Sequence, residues 1–554
     1  MNNHLTPDTP PAARPEAAHN SAHTPRLPYP NVYFIGIGGI GMSALARYYA
    51  YMGARVMGYD LTPSEITQAL QQEGIGVTFS DAVADLPLSQ LPREQTLVVF
   101  TPAVPQSHPQ LQYFRSHGYK VCKRAQALGI ITAPQRALCV AGTHGKTTTS
   151  AMLTHLMNCA REPRPTYEGL GSIKAQQEAP QNSTPAPHAA EGSPQNSFPC
   201  PQAAGGPHLQ AHSTTPADGD AHPKSHSGTP GASAFLGGIA NNYGSNFLYV
   251  PQTDYVVAEA DEYDRSFLQL SPYIAIVTSS DPDHLDIYGT HEAYLQAFEQ
   301  FASQIKPGGS YIVHEGLPLN PRLAEGVKRY TYGAGAECSF RYDNIRVGNG
   351  RLLFDWYCPE RGLALRDLAP GVPVAVNVEN ATAALGAALL SGVEDERLLR
   401  LGVESFTGTH RRFEKVLENG RFVLIDDYAH HPAELSASIS SVKQLYAGRE
   451  VMAVFQPHLY SRTADFYREF AAALSTLEHV VLLDIYPARE EPIPGVTSEL
   501  IYRRLTCPHK TLLRKEELLD FLATAQIPPV VLMLGAGNID RLVQPVKQLL
   551  IQRS

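Results

Sequence analysis

A short loop rich in glycine and carrying one lysine constrains the fold of this chain more than any other feature. It lies within the run ALCVAGTHGKTTTSAMLTHLM, residues 137–157, with an apolar strand predicted before it and an amphipathic helix after it. Glycines let backbone N–H groups turn toward an anion, and the helix N-terminus adds its dipole. A strand, a phosphate-binding loop and a helix in this order are typical of an α/β domain built on a parallel sheet.

The loop supplies candidate ligands for ATP. Lys146 would meet the β- and γ-phosphates, and the hydroxyl of Thr147 would face Mg²⁺. The spacing departs from G-x-x-x-x-G-K-[ST], because Val140 stands where the first glycine is usual. The alternative is an ordinary strand–turn–helix joint with a solvated lysine. We predict that seven residues bind the nucleotide: Gly142, Thr143, His144, Gly145, Lys146, Thr147 and Thr148.

Composition narrows the classes of function. The chain has 554 residues and a formal net charge of −9, so it carries no basic footprint for nucleic acid or anionic membrane. Its seven cysteines are odd in number and lack C-x-x-C spacing, which favours reduced thiols over disulfides or a zinc site. Residues 1–28 lack the apolar core of a signal peptide, and no run approaches the roughly 18 apolar residues that span a bilayer. We expect a cytoplasmic monomer or weak dimer without nucleic-acid or membrane partners.

Three α/β units are predicted along the chain. Residues 1–28 are predicted to be a disordered tail, and residues 29–134 form a Rossmann-like unit. The P-loop unit, 135–409, is interrupted at 162–232 by a Pro-rich insertion with too little apolar surface to order itself. Residues 410–554 are predicted to form a third unit of alternating strands and helices. Because strands and helices alternate, we predict three tandem α/β domains with mostly parallel sheets and ligands at the carboxyl ends of the strands.

A second glycine loop opens the first unit. Gly36-Ile37-Gly38-Gly39-Ile40-Gly41 fits G-x-G-x-x-G between a strand and a helix, and Asp60 closes the next strand, where an acidic group usually meets a ribose. Taken alone, the pattern predicts an NAD site. What such a loop recognises is a pyrophosphate, which UDP-sugars also carry, and the ATP loop about 100 residues later favours a UDP-sugar. The alternative is close helix–strand packing that merely requires glycine.

Acidic and histidine residues follow two predicted strands beyond the insertion. Because carboxyl ends of parallel strands meet at one edge of a sheet, these side chains could converge with the phosphate loop on Mg²⁺-ATP. The alternative is solvated loop charge. The residues are Glu259, Asp261, Glu262 and Asp264 in EADEYDRSF, and Asp283, His284 and Asp286 in DPDHLDIYG.

Seven motifs in a fixed order resemble those of the Mur ligases of peptidoglycan synthesis. They are GIGGIGMSALA, GTHGKTTTSAM, EADEYDRSF, DPDHLDIYG, GTHRRFE, DDYAHHP and FQPHLYSRT, and they span about residues 31–540 apart from the insertion. The resemblance implies an N-terminal domain that binds a UDP-sugar, a central ATPase domain and a C-terminal Rossmann-like domain that brings an amino acid. It is strongest with the alanine-adding members of the family.

The resemblance also implies a reaction. The lactyl carboxylate of UDP-N-acetylmuramate would attack the γ-phosphate of ATP, and L-alanine would then attack the resulting acyl phosphate. ATP is the co-substrate in this scheme, and two Mg²⁺ ions are expected. Phosphorylation supplies the leaving group that a carboxylate lacks, so catalysis is mostly positioning and charge neutralisation.

Roles for individual residues follow from the resemblance. The catalytic residues would be Lys146, Glu259, His284 and Arg412. The metal ligands would be Thr147, Glu259 and His284. Asn380, Arg412 and Asp427 would join the loop in binding ATP, and His430 and Arg462 would lie near the alanine, where a guanidinium suits its carboxylate. The UDP-sugar would meet Gly36, Gly38, Gly39, Gly41, Met42, Asp60, His108 and Arg124.

One departure from the family pattern bears on the metal. Several Mur ligases hold it with a carbamoylated lysine about 15 residues after the histidine that corresponds to His284. Here that region reads FEQFASQI and has no lysine before Lys306, as in the alanine-adding branch. Direct side chains and water would then hold the second ion.

Three other interpretations remain. A recycling ligase that adds a tripeptide to UDP-N-acetylmuramate shares the first two domains and differs in its C-terminal pocket. A nicotinamide-dependent oxidoreductase explains the first glycine loop alone. A nonenzymatic P-loop switch requires neither a UDP pocket nor a third domain.

Overall fold

The computed structural model describes residues 29–159, 230–348, 350–488 and 490–554. The predicted tail lies outside the described residues, as does the predicted insertion except for residues 230–232. Within the described chain, the strands form three sheets of five, ten and six strands, and most neighbouring strands are parallel. The predicted fold class, three tandem α/β domains with mostly parallel sheets, is confirmed.

The first sheet is wholly parallel, with strand order β3-β2-β1-β4-β5. Its central strands are fully buried apolar runs, as expected where helices cover both faces. The strands are β1 Asn31–Ile35, β2 Arg55–Tyr59, β3 Gly76–Thr78, β4 Thr96–Phe100 and β5 Lys120–Lys123. The helices are α1 Ile40–Tyr51, α2 Glu65–Gln72, α3 Pro109–Ser116 and α4 Arg124–Thr132, with short 3₁₀ turns at Val83–Asp85, Leu88–Gln90 and Arg93–Gln95.

The central sheet runs in the order β15-β14-β13-β12-β11-β10-β6-β9-β7-β8. Its inner strands are parallel, and antiparallel pairs lie toward both edges. The strands are β6 Arg136–Ala141, β7 Ser233–Ala240, β8 Ser245–Leu248, β9 Tyr255–Glu259, β10 Pro272–Val277, β11 Ser310–His314, β12 Lys328–Gly333, β13 Phe340–Gly348, β14 Arg351–Cys358 and β15 Leu363–Leu368. The helices are α5 Lys146–Asn158, α6 Leu285–Tyr288, α7 His291–Ser303, α8 Val376–Leu390 and α9 Glu396–Glu404, with 3₁₀ turns at Tyr263–Gln269 and Pro359–Arg361.

The third sheet has the order β16-β17-β21-β18-β19-β20, and only the edge pair β16–β17 is antiparallel. Apolar clusters cover both of its faces. The strands are β16 Glu414–Glu418, β17 Val423–Asp427, β18 Val451–Phe455, β19 His479–Leu483, β20 His509–Leu513 and β21 Val530–Leu534. The helices are α10 Pro432–Leu445, α11 Tyr460–Leu474, α12 Glu499–Tyr502, α13 Leu518–Thr524 and α14 Asp540–Gln552, with a 3₁₀ turn at Lys515–Glu517.

The first two domains share one apolar core. Tyr48 of α1 packs against Phe235 and Phe247 of the central sheet. Beside these rings, the buried guanidinium of Arg47 donates to Asn246 at 3.1 Å and pairs with Glu73 at 2.9 Å. The packing holds the glycine loop of the first domain close to the central sheet. No helix among the described residues is both long and apolar enough to cross a membrane.

Candidate active site

The phosphate loop joins β6 to α5 at the middle of the central sheet. β6 lies between β9 and β10, and Val140 and Ala141 are in register with Glu259 and Val277, at the carboxyl ends of these strands. The three strands therefore deliver the loop, the acidic motif and the segment leading to His284 to one edge of the sheet. This arrangement agrees with the expectation that the carboxyl ends of parallel strands meet at one edge of a sheet.

Gly142 and Gly145 have backbone conformations that favour glycine, with φ of +137° and +81°. A Cβ on Gly142 would lie 2.1 Å from Oγ1 of Thr278, which follows β10. A Cβ on Gly145 would lie 2.8 Å from Oδ1 of Asn380 on α8. The loop is thus packed against two neighbouring elements, and its glycines permit that approach.

Lys146, the first residue of α5, forms an ion pair with Glu262. Its Nζ lies 2.9 Å from Oε1 and 2.8 Å from Oε2, and it also donates to the backbone carbonyl of Gly142. The lysine side chain is 15% exposed and the glutamate side chain 3%. Burial raises the pKa of the Glu262 carboxyl, while the neighbouring ammonium opposes that rise. The ammonium is therefore held over the loop, at the N-terminus of a helix, where an anion is favoured.

His284 lies beside this ion pair. Its Nε2 is 3.9 Å from Oε1 of Glu262, and its ring meets that of Tyr263 edge-on at 5.1 Å between centroids. The backbone of His284 has φ of +52°, an uncommon value for a residue other than glycine. Tyr288, one turn further on, donates its hydroxyl to the backbone carbonyl of Glu262. The described contacts of His284 thus connect it to Glu262, whereas the sequence had grouped it with Glu259.

A cavity of about 980 Å³ opens between the first domain and the central sheet. All eight residues predicted to bind a UDP-sugar line it: Gly36, Gly38, Gly39, Gly41, Met42, Asp60, His108 and Arg124. The backbone N–H of Gly38 donates to Asp60 at 2.7 Å, so this carboxylate is anchored to the glycine loop. The Arg124 guanidinium pairs with Asp261 of the central domain at 2.9 Å.

His108 lines this first cavity with a polar ring that forms no hydrogen bond to any described residue. Neither of its ring nitrogens has a hydrogen-bond partner among the described residues, although the side chain is buried. Its ring lies 4.9 Å from that of Tyr59, and burial lowers its pKa. A buried unpaired imidazole has hydrogen-bonding capacity to offer a polar ligand.

A second cavity, of about 380 Å³, lies between the central and third domains. Nine of the ten residues predicted to bind ATP line it; the tenth, Gly142, does not, and a Cβ on it would meet Thr278. The nine are Thr143, His144, Gly145, Lys146, Thr147, Thr148, Asn380, Arg412 and Asp427. Asn380 is held in place, because it accepts from Thr149 at 3.1 Å and donates to Asn377 at 3.0 Å.

Glu259 lines both cavities. It is the last residue of β9, and its Oε2 accepts a hydrogen bond from the backbone N–H of Gly237 at 3.0 Å. A Cβ on Gly237 would come within 2.2 Å of this carboxylate, so a glycine is needed next to it. A ligand in the first cavity and a nucleotide in the second would therefore meet at Glu259.

The third domain contributes one wall of the second cavity. The guanidinium of Arg412 lies 5.0 Å from the centre of the Tyr428 ring, an arrangement that orients the cation. Asp427 accepts hydrogen bonds from the hydroxyl of Ser438 and from the N–H of Ala429, and burial raises its pKa. The same wall of the cavity therefore carries a cation, Arg412, and a carboxyl group, Asp427, whose burial favours its neutral form.

A histidine cluster lies next to this wall. His430 Nδ1 is 3.0 Å from the backbone carbonyl of Tyr428 and 3.3 Å from Glu434, so it carries the proton and leaves Nε2 as an acceptor. Burial lowers the pKa of His430, and burial lowers that of His458 to about 4. Arg462 adds to both effects as a nearby cation. The side chain of Arg462, a residue of α11, makes no hydrogen bond or ion pair with any described residue.

Two residues of this region were missed from sequence. Glu434 accepts from the backbone N–H groups of His430 and His431 at the start of α10 and lies 3.8 Å from His144 of the phosphate loop. Its position three residues after His431 is the signal of a helix cap. Arg411 is buried between Asp426 at 3.3 Å and the carbonyls of Gly535 and Gly537, whereas its neighbour Arg412 faces the cavity.

The donor chemistry at this site suits a magnesium ion bound mainly through a nucleotide. Thr147 and Glu259 line the second cavity together, and His284 stands beside Glu262. Among the described residues, no cluster of three or more His, Cys, Asp or Glu side chains is arranged to hold a metal by itself. Mg²⁺ commonly takes one or two carboxylates and completes its shell with phosphate oxygens and water. The residues present therefore fit a nucleotide-bound Mg²⁺ rather than a protein cage.

Models of one family match all three domains. The Mur ligase family catalytic domain matches residues 31–136, the Mur ligase middle domain 243–388, and the Mur ligase glutamate ligase domain 411–537. The fold and site define a three-domain P-loop protein, and the chain belongs to the Mur ligase family. The resemblance seen in the seven motifs is thereby confirmed.

Individual relatives cover nearly the whole chain. A UDP-N-acetylmuramate–L-alanine ligase of Porphyromonas gingivalis is 50% identical over 520 residues, which cover 94% of this chain and 98% of that protein. One of Parabacteroides distasonis is 48% identical over 522 residues, covering 94% and 97%. The crystal structure of UDP-N-acetylmuramate-alanine ligase from Thermotoga maritima matches with a TM-score of 0.68 at 22% identity, covering 95% of this chain and 100% of that one. A murein peptide ligase from Psychrobacter arcticus gives 0.56 at 18%, covering 94% and 98%, and shares the fold.

Proposed function

We propose that this protein joins L-alanine to the lactyl carboxylate of UDP-N-acetylmuramate and converts ATP to ADP and phosphate, in the cytoplasm, where peptidoglycan precursors are made. One observation carries the proposal: Glu259 lines both the cavity of the first glycine loop and the cavity of the phosphate loop. A UDP-sugar and ATP bound in these cavities would bring a carboxylate and a γ-phosphate to the same point. The names of relatives at 48–50% identity support the choice of substrates.

The first step is phosphoryl transfer. A carboxylate oxygen of the UDP-sugar forms a bond to the γ-phosphorus, and the bond from that phosphorus to the β-phosphate oxygen breaks, which releases ADP. Lys146 and Arg412 line the second cavity, as does the phosphate loop with the N–H groups at the start of α5. They neutralise the charge that develops as the leaving oxygen departs.

Mg²⁺ would be held by Thr147, Glu259 and His284, and it would neutralise phosphate charge when bound. Thr147 and Glu259 line the second cavity, and His284 lies next to the buried ion pair of Lys146 and Glu262. Their hydroxyl, carboxylate and imidazole groups suit a small hard cation that keeps nucleotide oxygens and water in its shell.

The second step is attack by the amine of L-alanine on the acyl phosphate. The nitrogen–carbon bond forms, the carbon–oxygen bond to phosphate breaks, and the amine proton must leave. His430 in its Nδ1–H tautomer accepts a proton at Nε2, and its lowered pKa keeps it neutral at pH 7. The guanidinium of Arg462 would bind the alanine carboxylate in a forked pair.

The test is release of phosphate from ATP by the purified protein with substrates omitted one at a time. Turnover should require UDP-N-acetylmuramate, Mg²⁺ and L-alanine together. Turnover with L-alanyl-D-glutamyl-diaminopimelate and none with L-alanine would reject the proposal in favour of a tripeptide-recycling ligase. Turnover independent of the UDP-sugar would reject both.

A further inference from the structure

We infer that Glu262 is a positioning residue, which fixes the ammonium of Lys146 over the phosphate loop so that it meets the γ-phosphate as phosphoryl transfer occurs. The inference rests on the proposed function for the identity of the reaction. It rests on the geometry of the buried ion pair for the role of the residue.

The carboxylate of Glu262 is held rigidly beside the lysine. Both oxygens lie within 2.9 Å of Nζ, and the side chain is 3% exposed. The hydroxyl of Tyr288 donates to the backbone carbonyl of Glu262, which ties the segment before the Tyr263–Gln269 turn to α6. Apart from its 2.8 Å contact with Lys146, Oε2 has no hydrogen-bond partner among the described residues, so the ion pair is the main interaction that compensates its burial. The other described contact of the carboxylate is longer, with Nε2 of His284 at 3.9 Å from Oε1, so Lys146 is the cation that lies closest to it.

Lys146 needs such a partner because its side chain is flexible. Four rotatable bonds separate the ammonium from the backbone, and an unrestrained amine would sample many positions within the cavity. Its other described acceptors are the carbonyls of Gly142 and Thr143, which are neutral. Glu262 is the one formal negative charge among the described contacts of this ammonium, so it selects the rotamer that points over the loop.

Removal of this charge has separable consequences for binding and for rate. Without the carboxylate, the ammonium is free to follow the phosphates of bound nucleotide, so ground-state affinity is kept. The lysine is no longer held where charge develops in the transition state, so the chemical step slows. Loss of an interaction realised in the transition state lowers kcat without raising KM.

The test compares Glu262→Gln and Glu262→Asp with the wild-type enzyme. For E262Q we expect kcat to fall about 10- to 100-fold, with KM for ATP changed by less than about threefold and one ADP still bound per chain in calorimetry. E262D keeps the charge and should recover at least part of the lost rate. The matched control is Glu73→Gln, which neutralises the carboxylate of a buried pair with Arg47 away from the phosphates and should leave kcat per ADP site unchanged.

A readout independent of turnover completes the test. Reductive ¹³C-methylation labels the lysines, and the NMR signal lost in Lys146→Arg identifies Lys146. That signal should shift in E262Q and stay in place in E73Q.

Three results would overturn the inference. The first is a kcat of E262Q within about twofold of wild type. The second is loss of ADP binding in both Glu262 variants, which would indicate a structural role. The third is a raised Mg²⁺ requirement of E262Q, which would indicate that Glu262 is a metal ligand. Absence of alanine-dependent turnover in the wild-type enzyme would instead reject the proposed function, and the Lys146 signal would still test the ion pair.

Discussion

Gly145→Ala tests how tightly the phosphate loop is fitted to the rest of the site. Gly145 has φ of +81°, and an added Cβ would lie 2.8 Å from Oδ1 of Asn380 and 3.6 Å from Cβ of Thr278. Asn380 is buried and hydrogen-bonded to Thr149 and Asn377, so it has little room to withdraw. The substitution therefore perturbs both the backbone of the loop and a residue in the wall of the nucleotide cavity.

The magnitude follows from two contributions. A left-handed conformation costs an alanine about 1–2 kcal/mol. Displacing Asn380 weakens two hydrogen bonds, each contributing about 0.5–1.5 kcal/mol. We expect the free energy of unfolding to fall by about 2–5 kcal/mol, and affinity for ADP to fall at least about tenfold because the loop N–H groups are redirected.

Gly53→Ala supplies the matched control. Gly53 has φ of +88°, and no atom lies within 4 Å of an added Cβ, so this variant carries the backbone cost without the clash. Urea denaturation should show a loss of about 1–2 kcal/mol for G53A, and calorimetry should show wild-type affinity for ADP. Equal stability losses in the two variants, or unchanged ADP affinity in G145A, would refute the argument that Asn380 and the loop are packed as one unit.

Three further predictions concern charge. Lys146→Ala should lower kcat at least about 100-fold by removing the cation at the phosphates, and a wild-type kcat in a phosphate-release assay would remove this lysine from the mechanism. Burial raises the pKa of Asp426 to about 6 from 3.8, so below pH 6 the folded state binds a proton that the unfolded state releases. Binding of this proton stabilises the folded state, and that stabilisation is lost as pH rises through 6. Between pH 5 and 7 the free energy of unfolding of the wild type should therefore fall by about 1 kcal/mol relative to that of Asp426→Asn. If urea denaturation shows the same pH dependence for both proteins, the raised pKa of Asp426 is contradicted. Arg462→Ala should raise KM for L-alanine about 10-fold or more with KM for ATP unchanged, whereas Arg468→Ala on the same helix should change neither.

The fold was predictable because its signals are local. Runs of apolar residues such as Val451–Phe455 predict the buried strands of parallel sheets, and each glycine loop predicts the start of a helix. Strand order then brings residues distant in sequence to one edge. The eight predicted UDP-sugar residues and nine of ten predicted ATP residues line their cavities for this reason.

The roles of neighbouring like residues were not predictable. Strand β9 ends at Glu259, which lines both cavities, whereas Glu262 lies three residues beyond the strand and pairs with Lys146. The turn that directly follows Glu262 contains Asp264 and Arg265, both with φ of +53°, and no sequence rule predicts such a conformation for these residues.

The two adjacent arginines of the third domain make the same point. Arg411, with φ of +59°, is buried against Asp426 and the carbonyls of Gly535 and Gly537, whereas Arg412 faces the nucleotide cavity. Which of the two is buried depends on tertiary packing across about 125 residues of sequence.

The central claim is that a carboxylate in the first cavity attacks the γ-phosphate bound in the second. UDP-N-acetylmuramate labelled with ¹⁸O in both oxygens of the lactyl carboxylate tests this directly. After turnover with ATP and L-alanine, mass spectrometry of the released phosphate should find one ¹⁸O per phosphate, with the other retained in the amide. Phosphate free of ¹⁸O would show that water, and not the carboxylate, accepts the phosphoryl group, and would contradict the account.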